Sequence, residues 1–299
     1  MTANDTDITV GYIGLGNMGA PMATRLLDWP GGLVVCDARP ETLTPFTDAG
    51  AAAADTPAAV AAQAQVISVT VLDDAQVREV VNGPDGILSA AAPGTVIAVH
   101  STISDLTATD LAQRCRERGV DLVDAPVSGG APGAKQGRLA VMVGGSEEAF
   151  AAVRGPFGCW AELVVHAGPV GAGTRMKLAR NLLHFVSFTA ASEAQRLAEA
   201  AGLDIRELGK IVRHTDAITG GAGAIMLRET TAPVAEDDFW HPILGHVRNL
   251  GEKDLSLALD LGERLDVDLP LARRALSDLG PGLGVGTGAL SESATKEHA

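Results

Sequence analysis

Apolar positions in the first half of the chain form short runs that alternate with amphipathic or alanine-rich stretches. The runs predict buried strands at 8–14, 33–37, 66–71, 95–99 and 120–124. The stretches between them predict helices at 18–28, 57–64, 74–82 and 104–118. Continuous apolar strands with helical crossovers predict a parallel sheet covered on both faces. Two further runs, 139–145 and 162–166, add strands at the far side of this sheet.

The pattern changes after His166. A glycine-rich hinge, "GPVGAG", precedes a segment from Arg175 to Ala201 that contains neither proline nor glycine and predicts one helix of about 27 residues. No strand pattern follows 167. The remaining helical stretches are 204–214, a segment around 220–228, 242–264 and 270–279.

These patterns predict two domains joined by a long interdomain helix. Residues 1–166 are expected to form a Rossmann-type, doubly wound α/β domain that binds a dinucleotide. Residues 167–299 are expected to form an all-α domain for substrate binding and dimerisation. Within it, 280–299 is rich in glycine and small polar residues, which predicts a flexible tail.

Composition narrows the range of partners. The formal net charge of −14 disfavours nucleic acid and anionic membranes. No apolar run approaches the ~20 residues of a membrane helix, and the acidic N-terminus does not resemble a signal peptide. Three separated cysteines predict reduced thiols in a cytoplasmic protein. His241 and His246 have no nearby cysteine, so we predict no metal site.

A glycine turn follows the first predicted strand and opens the first predicted helix. Its residues match GxGxxG, and they are Gly14, Leu15, Gly16, Asn17, Met18 and Gly19. In that context the glycines permit a tight turn, close approach of a pyrophosphate, and packing of helix on strand. A dinucleotide site is therefore predicted; a glycine turn that binds nothing is the alternative.

Asp37 closes the second strand, where an acidic residue can accept the hydroxyls of the adenosine ribose and repel a 2′-phosphate. This position favours NAD over NADP. Arg39 leaves NADP open, because a guanidinium could bind the 2′-phosphate; we interpret it as a solvated turn residue.

A second polar turn, Ser128-Gly129-Gly130, ends the sheet again in "DAPVSGG". Backbone amides and a hydroxyl there suit a carboxylate. A glycine-rich connection with a capping serine is the alternative.

On the long helix, Lys177 and Asn181 are four residues apart and share one face. Lysines on helices are usually solvated. This one follows the hinge, where we expect a cleft between the domains, and a desolvated lysine can act as acid or base. Asn181 could orient it or the reacting hydroxyl.

Four motifs in order resemble the β-hydroxyacid dehydrogenase family, which includes 3-hydroxyisobutyrate dehydrogenase and tartronate semialdehyde reductase. The motifs are "GYIGLGNMGAPMA", "DAPVSGGAPGAKQGRLAVMVGG", "GAGTRMKLARN" and "EKDLSLA", and the resemblance spans roughly 8–280. It implies reversible hydride transfer between NAD(P) and a short β-hydroxy acid. Because the long helix needs apolar cover, we also expect the second domain to pack against a copy of itself, in a homodimer or homotetramer.

The resemblance also implies roles for individual residues. Gly14 to Gly19 would hold the cofactor, with Thr102 beside the nicotinamide half. Ser128 to Gly130 would hold the substrate carboxylate. Lys177 matches the catalytic lysine, Asn181 the substrate-binding asparagine, and Lys253 a lysine that reaches cofactor and substrate.

Three residues raise alternatives. Arg180 stands where the family often has asparagine; it either binds a second anionic group or points to solvent. His100 stands where a small polar or acidic residue is usual, and His184 either faces the cleft or packs. An imine reductase, which usually lacks the lysine, and a non-catalytic dinucleotide sensor are the rival functions. Lys177 argues against the first, and Lys177, Ser128 and Asn181 argue against the second.

Overall fold

The computed structural model describes residues 8–200, 202–219, 225, 228–264 and 270–288. The chain divides into two compact units, Met1–Lys177 and Leu178–Ala299. None of the helices within the described ranges has the length and apolarity needed to cross a membrane.

The first unit is built on a nine-stranded sheet with the order β3-β2-β1-β4-β5-β6-β8-β7, and β9 pairs with β8. The strands are β1 Val10–Ile13, β2 Leu33–Cys36, β3 Ala52–Ala53, β4 Val66–Val69, β5 Val96–Val99, β6 Asp121–Asp124, β7 Val127–Ser128, β8 Leu139–Gly144 and β9 Ala161–Gly168. The order reverses at β1, which is the switch point of a doubly wound fold. The predicted Rossmann-type sheet is therefore confirmed.

Strand direction changes at the far side of the sheet. Strands β1 to β6 pair in parallel, whereas β8 runs antiparallel to β6 and β7, and β9 is parallel to β8. The connection from β6 to β8 contains the short β7 and the helix Gly130–Gln136, and an antiparallel neighbour does not need the long crossover that a parallel strand requires. The sequence pattern revealed neither this reversal nor the two-residue strands β3 and β7.

Helices cover both faces of the sheet. They are α1 Gly19–Thr24, α2 Thr44–Asp48, α3 Pro57–Ala61, α4 Asp74–Asn82, α5 Asp105–Arg116, α6 Gly130–Gln136 and α7 Glu147–Phe157. Side chains alternate across each strand, so β1 sends Tyr12 into one apolar cluster and Ile13 into the other. Trp29 and Trp160 are buried in the cluster that contains Tyr12.

The long helix α8, Ala172–Ala200, has 29 residues. It was predicted from 175, and the domain boundary was predicted at 166. The compact units instead divide at Lys177. Strand β9 extends to Gly168, and the buried carboxylate of Asp124 in β6 binds amides at the start of α8. The first turns of the helix therefore belong to the first unit.

The described part of the second unit is helical, with α9 Ile205–Thr219, α10 Trp240–Arg264 and α11 Pro270–Leu283. Phe185 and Phe188 of α8 pack with Leu255 of α10 and Leu279 of α11, and Trp240 lies partly buried against this core. The helix predicted around 220–228 falls largely outside the described residues.

The flexible tail predicted from 280 is wrong as far as Gly288. Helix α11 continues to Leu283, and Leu283 and Val285 are buried. Arg248 Nη1 donates to the Val285 carbonyl at 2.8 Å, and the Gly288 amide donates to Glu252 Oε1 at 3.2 Å. Apolar side chains among the glycines anchor this stretch. Residues 289–299 lie outside the described residues.

Candidate active site

The glycine turn connects β1 to α1, and two of its glycines have no room for a side chain. A Cβ at Gly14, whose φ is 92°, would lie 2.1 Å from the Thr70 carbonyl oxygen, and one at Gly19 would lie 1.9 Å from the Gly14 carbonyl oxygen. A Cβ at Gly16 would meet nothing within 4 Å. The turn thus packs tightly on the sheet and leaves open space at Gly16, which fits the approach of a pyrophosphate.

Asp37, immediately after β2, is bound to this turn. Its Oδ2 accepts the Leu15 amide at 2.6 Å, and its Oδ1 accepts the Arg39 amide at 2.9 Å and Nε at 3.2 Å. Burial works to raise the pKa of Asp37, but the hydrogen bonds from Leu15 and Arg39 outweigh it and the pKa lies below its ordinary value. The carboxylate is therefore ionised at neutral pH, and the exposed Arg39 is its ion-pair partner rather than a purely solvated residue.

The segment after β5 lies at the same edge of the sheet, because parallel strands end together. Ser101 Oγ donates to the Val71 carbonyl at 2.6 Å and accepts the Val71 amide at 3.0 Å, which ties this segment to the one after β4. Thr102 follows directly and is half-buried.

His100 belongs to the core of the first unit. Its ring is bonded to the Ala125 carbonyl at 2.8 Å and to Ser68 Oγ at 3.0 Å, and it packs edge-on against Trp160. Burial lowers the pKa of His100 to about 4, so the imidazole is neutral at physiological pH. His100 is therefore a packing residue of the core.

The Ser128-Gly129-Gly130 turn joins β7 to α6. Gly129 and Gly130 have φ values of 128° and 64°, in the region that favours glycine. Both glycines are exposed and Ser128 is half-buried. The turn therefore offers its backbone and one hydroxyl to solvent or to a ligand.

Lys177 is buried in the second turn of α8, with 8% of its surface exposed. The start of this helix is held by Asp124, the last residue of β6, whose two oxygens accept the Gly171 and Thr174 amides at 2.6 Å each. Burial raises the pKa of Asp124 to about 6, against the lowering effect of these hydrogen bonds. An ion pair of 3.0 Å between Arg175 and the buried Asp105 adds a second attachment.

Asn181, one turn beyond Lys177, lies in a buried polar cluster of the second unit. Its Nδ2 donates to the carboxylate of Asp254 on α10, and its Oδ1 accepts Arg180 Nη1 at 3.0 Å. Lys253 Nζ lies 3.3 Å from Asp254 Oδ1. Asp254 is thus the centre of the cluster and contacts both Asn181 and Lys253.

Two family models match the chain. The NAD binding domain of 6-phosphogluconate dehydrogenase matches residues 9–168, and the NAD-binding domain of NADP-dependent 3-hydroxyisobutyrate dehydrogenase matches residues 171–279. The chain belongs to the β-hydroxyacid dehydrogenase family. This dehydrogenase is accordingly an oxidoreductase with NAD(P)-binding domains.

Individual proteins agree with this assignment. An uncharacterized oxidoreductase of Mycobacterium tuberculosis is 60% identical over 285 residues, which cover 95% of this chain and 96% of the relative. The 2-(hydroxymethyl)glutarate dehydrogenase of Eubacterium barkeri is 33% identical over 95% of this chain and 92% of its own. The structure of M. tuberculosis 3-hydroxyisobutyrate dehydrogenase with L-serine has a TM-score of 0.74 at 29% identity, covering 98% of this chain and 99% of that one.

Two buried carboxylates of the dehydrogenase were not predicted to be functional from the sequence. Asp124 opens the "DAPVSGG" motif and Asp254 follows Lys253 in "EKDL", yet neither received a role. Their signal was an acidic residue at the end of an apolar strand or inside an apolar helix, since aspartate is rarely buried without a partner.

His184, the remaining ambiguous residue, lies with its ring 4.5 Å from that of Phe188, next to the second core. Among the described residues no group of three or more His, Cys, Asp or Glu side chains could hold a metal ion.

Proposed function

We propose that this dehydrogenase catalyses reversible hydride transfer between NAD(P) and a short β-hydroxy acid similar to 3-hydroxyisobutyrate, with Lys177 as the general acid and base. The observation that carries the proposal is the burial of Lys177, three residues beyond an amide that Asp124 binds. Desolvation disfavours the ammonium form, and an amine that can lose its proton suits this chemistry.

The residues predicted to bind the substrate have the following roles in the proposed reaction. Ser128, Gly129 and Gly130 bind the substrate carboxylate through the exposed turn. Asn181 and Lys253 bind the substrate, and Lys253 also reaches the cofactor. The names of two relatives, a 2-(hydroxymethyl)glutarate dehydrogenase and a 3-hydroxyisobutyrate dehydrogenase, support a substrate that carries both a hydroxyl and a carboxylate.

Proton transfer accompanies hydride transfer in this mechanism. The nicotinamide supplies the hydride chemistry when it is bound. In oxidation, neutral Lys177 Nζ takes the hydroxyl proton while the C–H electron pair leaves as hydride, which turns the alcohol into a carbonyl. In reduction, the Lys177 ammonium returns that proton to the oxygen.

The cofactor proposal is a preference for NAD. Asp37 is ionised at the end of β2, and a carboxylate there repels a 2′-phosphate. Arg39 partly neutralises the carboxylate through their 3.2 Å ion pair, and this weakens the repulsion of a 2′-phosphate without removing it.

We further propose that the protein is cytoplasmic and forms a homodimer or homotetramer. Exposed apolar side chains on the second unit, such as Leu183 and Ile218, support the assembly, because contact with a second copy would bury them.

The test is absorbance at the nicotinamide wavelength with a panel of 3-hydroxy acids, each assayed with NAD and with NADP. We expect oxidation of at least one short 3-hydroxy acid and higher catalytic efficiency with NAD. Cofactor binding without turnover of any hydroxy acid would favour a dinucleotide sensor. Reduction of cyclic imines in place of hydroxy acids would favour the imine reductase alternative.

A further inference from the structure

The carboxylate of Asp124 joins the end of β6 to the start of α8. It is 1% exposed, and each of its oxygens accepts one amide of the segment that starts the helix, Gly171 to Oδ1 and Thr174 to Oδ2. The first amides of a helix have no acceptor within the helix. Asp124 satisfies two such donors at once.

Close packing fixes the geometry of this joint. A Cβ on Gly144 would lie 2.3 Å from Asp124 Oδ1, and one on Gly173 would lie 2.3 Å from the Met142 carbonyl oxygen and 2.4 Å from the Asp124 carbonyl oxygen. Strands β6 and β8 therefore touch the helix backbone directly. A side chain at either glycine would therefore collide with the carboxylate or with the strand backbone.

Lys177 lies within one turn of this joint. It is the third residue after Thr174, which is a rise of about 4.5 Å along the helix axis. Any tilt or fraying of the first turn therefore displaces the Lys177 side chain. Displacement of a catalytic group by about 1 Å can cost on the order of 100-fold in rate.

We propose that Asp124 is the positioning residue for Lys177, acting through the backbone of α8 and touching neither substrate nor cofactor. This inference rests on the proposed function, because it assigns Asp124 to the proton transfer by Lys177. A carboxylate is required because both of its oxygens accept hydrogen bonds. An asparagine offers one oxygen and turns an NH₂ donor toward one of the two amides.

The test is a double-mutant cycle of Asp124→Asn and Lys177→Ala. Asp124→Asn alone is expected to lower kcat by at least ~10-fold, with the Kd of the dinucleotide unchanged. Added to Lys177→Ala it is expected to lower kcat no further. Hydrogen–deuterium exchange at the backbone amides of residues 170–178 of the intact protein is expected to be faster in Asp124→Asn than in the wild type. This measurement does not depend on turnover.

Several results would overturn the inference. An unchanged kcat and an unchanged exchange rate in Asp124→Asn would do so, as would an equal loss of kcat in the presence and absence of Lys177. If Lys177→Ala alone keeps full turnover, the proposed proton transfer fails, and the positioning role fails with it. Loss of turnover in Lys177→Ala together with an equal effect of Asp124→Asn in both backgrounds rejects only the positioning role.

Ser146→Ala is the matched control. Ser146 Oγ accepts the Ala149 amide at 3.1 Å and caps α7, a helix without a predicted catalytic residue. Its loss is expected to lower the melting temperature and leave kcat unchanged. Asp124→Ser, which keeps one acceptor oxygen, replaces Asp124→Asn in the cycle if the asparagine variant does not fold.

Discussion

The backbone amide of Leu15 donates a hydrogen bond of 2.6 Å to Oδ2 of Asp37. One carboxylate therefore fixes the glycine turn and stands where the adenosine ribose is expected. Because a single group does both, cofactor preference and the geometry of the turn are coupled.

The wild type is expected to use NAD with higher catalytic efficiency than NADP, and Asp37→Ala is expected to shift the ratio toward NADP. The substitution removes the negative charge that repels a 2′-phosphate and releases Arg39 to bind it. It also leaves the Leu15 amide without its hydrogen-bond acceptor, which destabilises the glycine turn by about 1–3 kcal/mol. Because this turn is expected to bind the cofactor, the affinity for NAD falls as well. Titration of both cofactors measures the two effects.

Arg39→Ala is the companion variant. If the guanidinium helps to hold a 2′-phosphate, the Kd of NADP rises and that of NAD stays constant. A tenfold preference of the wild type for NADP, about 1.4 kcal/mol, would show that Arg39 and not Asp37 governs the choice.

Lys177→Ala is expected to lower turnover by at least ~100-fold, the scale of general acid–base catalysis, without loss of cofactor binding. Lys177→Arg is expected to restore little, because a guanidinium stays protonated near neutral pH. The rate of alcohol oxidation in the wild type should rise as one group deprotonates, and this limb should vanish in the alanine variant. Turnover close to that of the wild type would make Lys177 a structural lysine.

Arg180 offers a test of substrate charge. Its guanidinium donates to Asn181 Oδ1 at 3.0 Å, and the nearby carboxylate of Asp254 attracts its charge. If Arg180 binds a second acidic group, Arg180→Asn raises the KM of a dicarboxylic 3-hydroxy acid and leaves that of a monocarboxylic one and the Kd of NAD unchanged. Identical kinetics with both acids would place Arg180 in solvent.

Asp254→Asn is expected to lower the free energy of unfolding by about 1–3 kcal/mol, because buried Asn181 and partly buried Lys253 lose their shared acceptor. Urea denaturation measures this. Asp278→Asn is the control in the same unit: it breaks the ion pair with the exposed Arg274, and pairs of that kind contribute under about 1 kcal/mol. Equal effects of the two substitutions would contradict a central role for Asp254.

The raised pKa of Asp124 predicts a pH-dependent contribution to stability. Burial lifts it from 3.8 to about 6, so ionisation costs more in the folded protein than in the unfolded chain. Measured against Asp124→Asn, the contribution of Asp124 to stability is therefore greatest below pH 4 and falls by on the order of 3 kcal/mol between pH 4 and pH 6. Urea denaturation of both proteins at pH 4.5 and 7.5 tests this; a constant difference would contradict it.

The sequence predicted the parts of this molecule that local pattern determines. The glycine turn lies between β1 and α1, and the apolar runs became the central strands, because strand burial and turn chemistry leave a local trace. Asp124 and Asp254 were missed because their partners lie 47 to 73 residues away. The spacing of apolar residues along the chain carries no information about hydrogen bonds between residues so far apart in sequence.

The predicted boundary at 166 precedes the division of the compact units at Lys177. Glycines at 168, 171 and 173 have the composition of a hinge, yet at Gly173 the helix α8 packs so closely on the sheet that an added Cβ would lie 2.3 Å from the Met142 carbonyl oxygen. Glycine permits close packing as well as flexibility, and composition alone does not distinguish the two. For the same reason, the glycine-rich stretch 280–288 was predicted to be part of a flexible tail.

The distribution of tryptophans gives each unit its own optical probe. Trp29 and Trp160 are buried in the first unit and Trp240 lies against the core of the second, and the chain has three tryptophans in all. Replacing Trp240 with phenylalanine leaves fluorescence that reports on the first unit alone. Replacing the other two leaves a signal from the second unit. Denaturation followed in these two proteins would distinguish one cooperative transition from two.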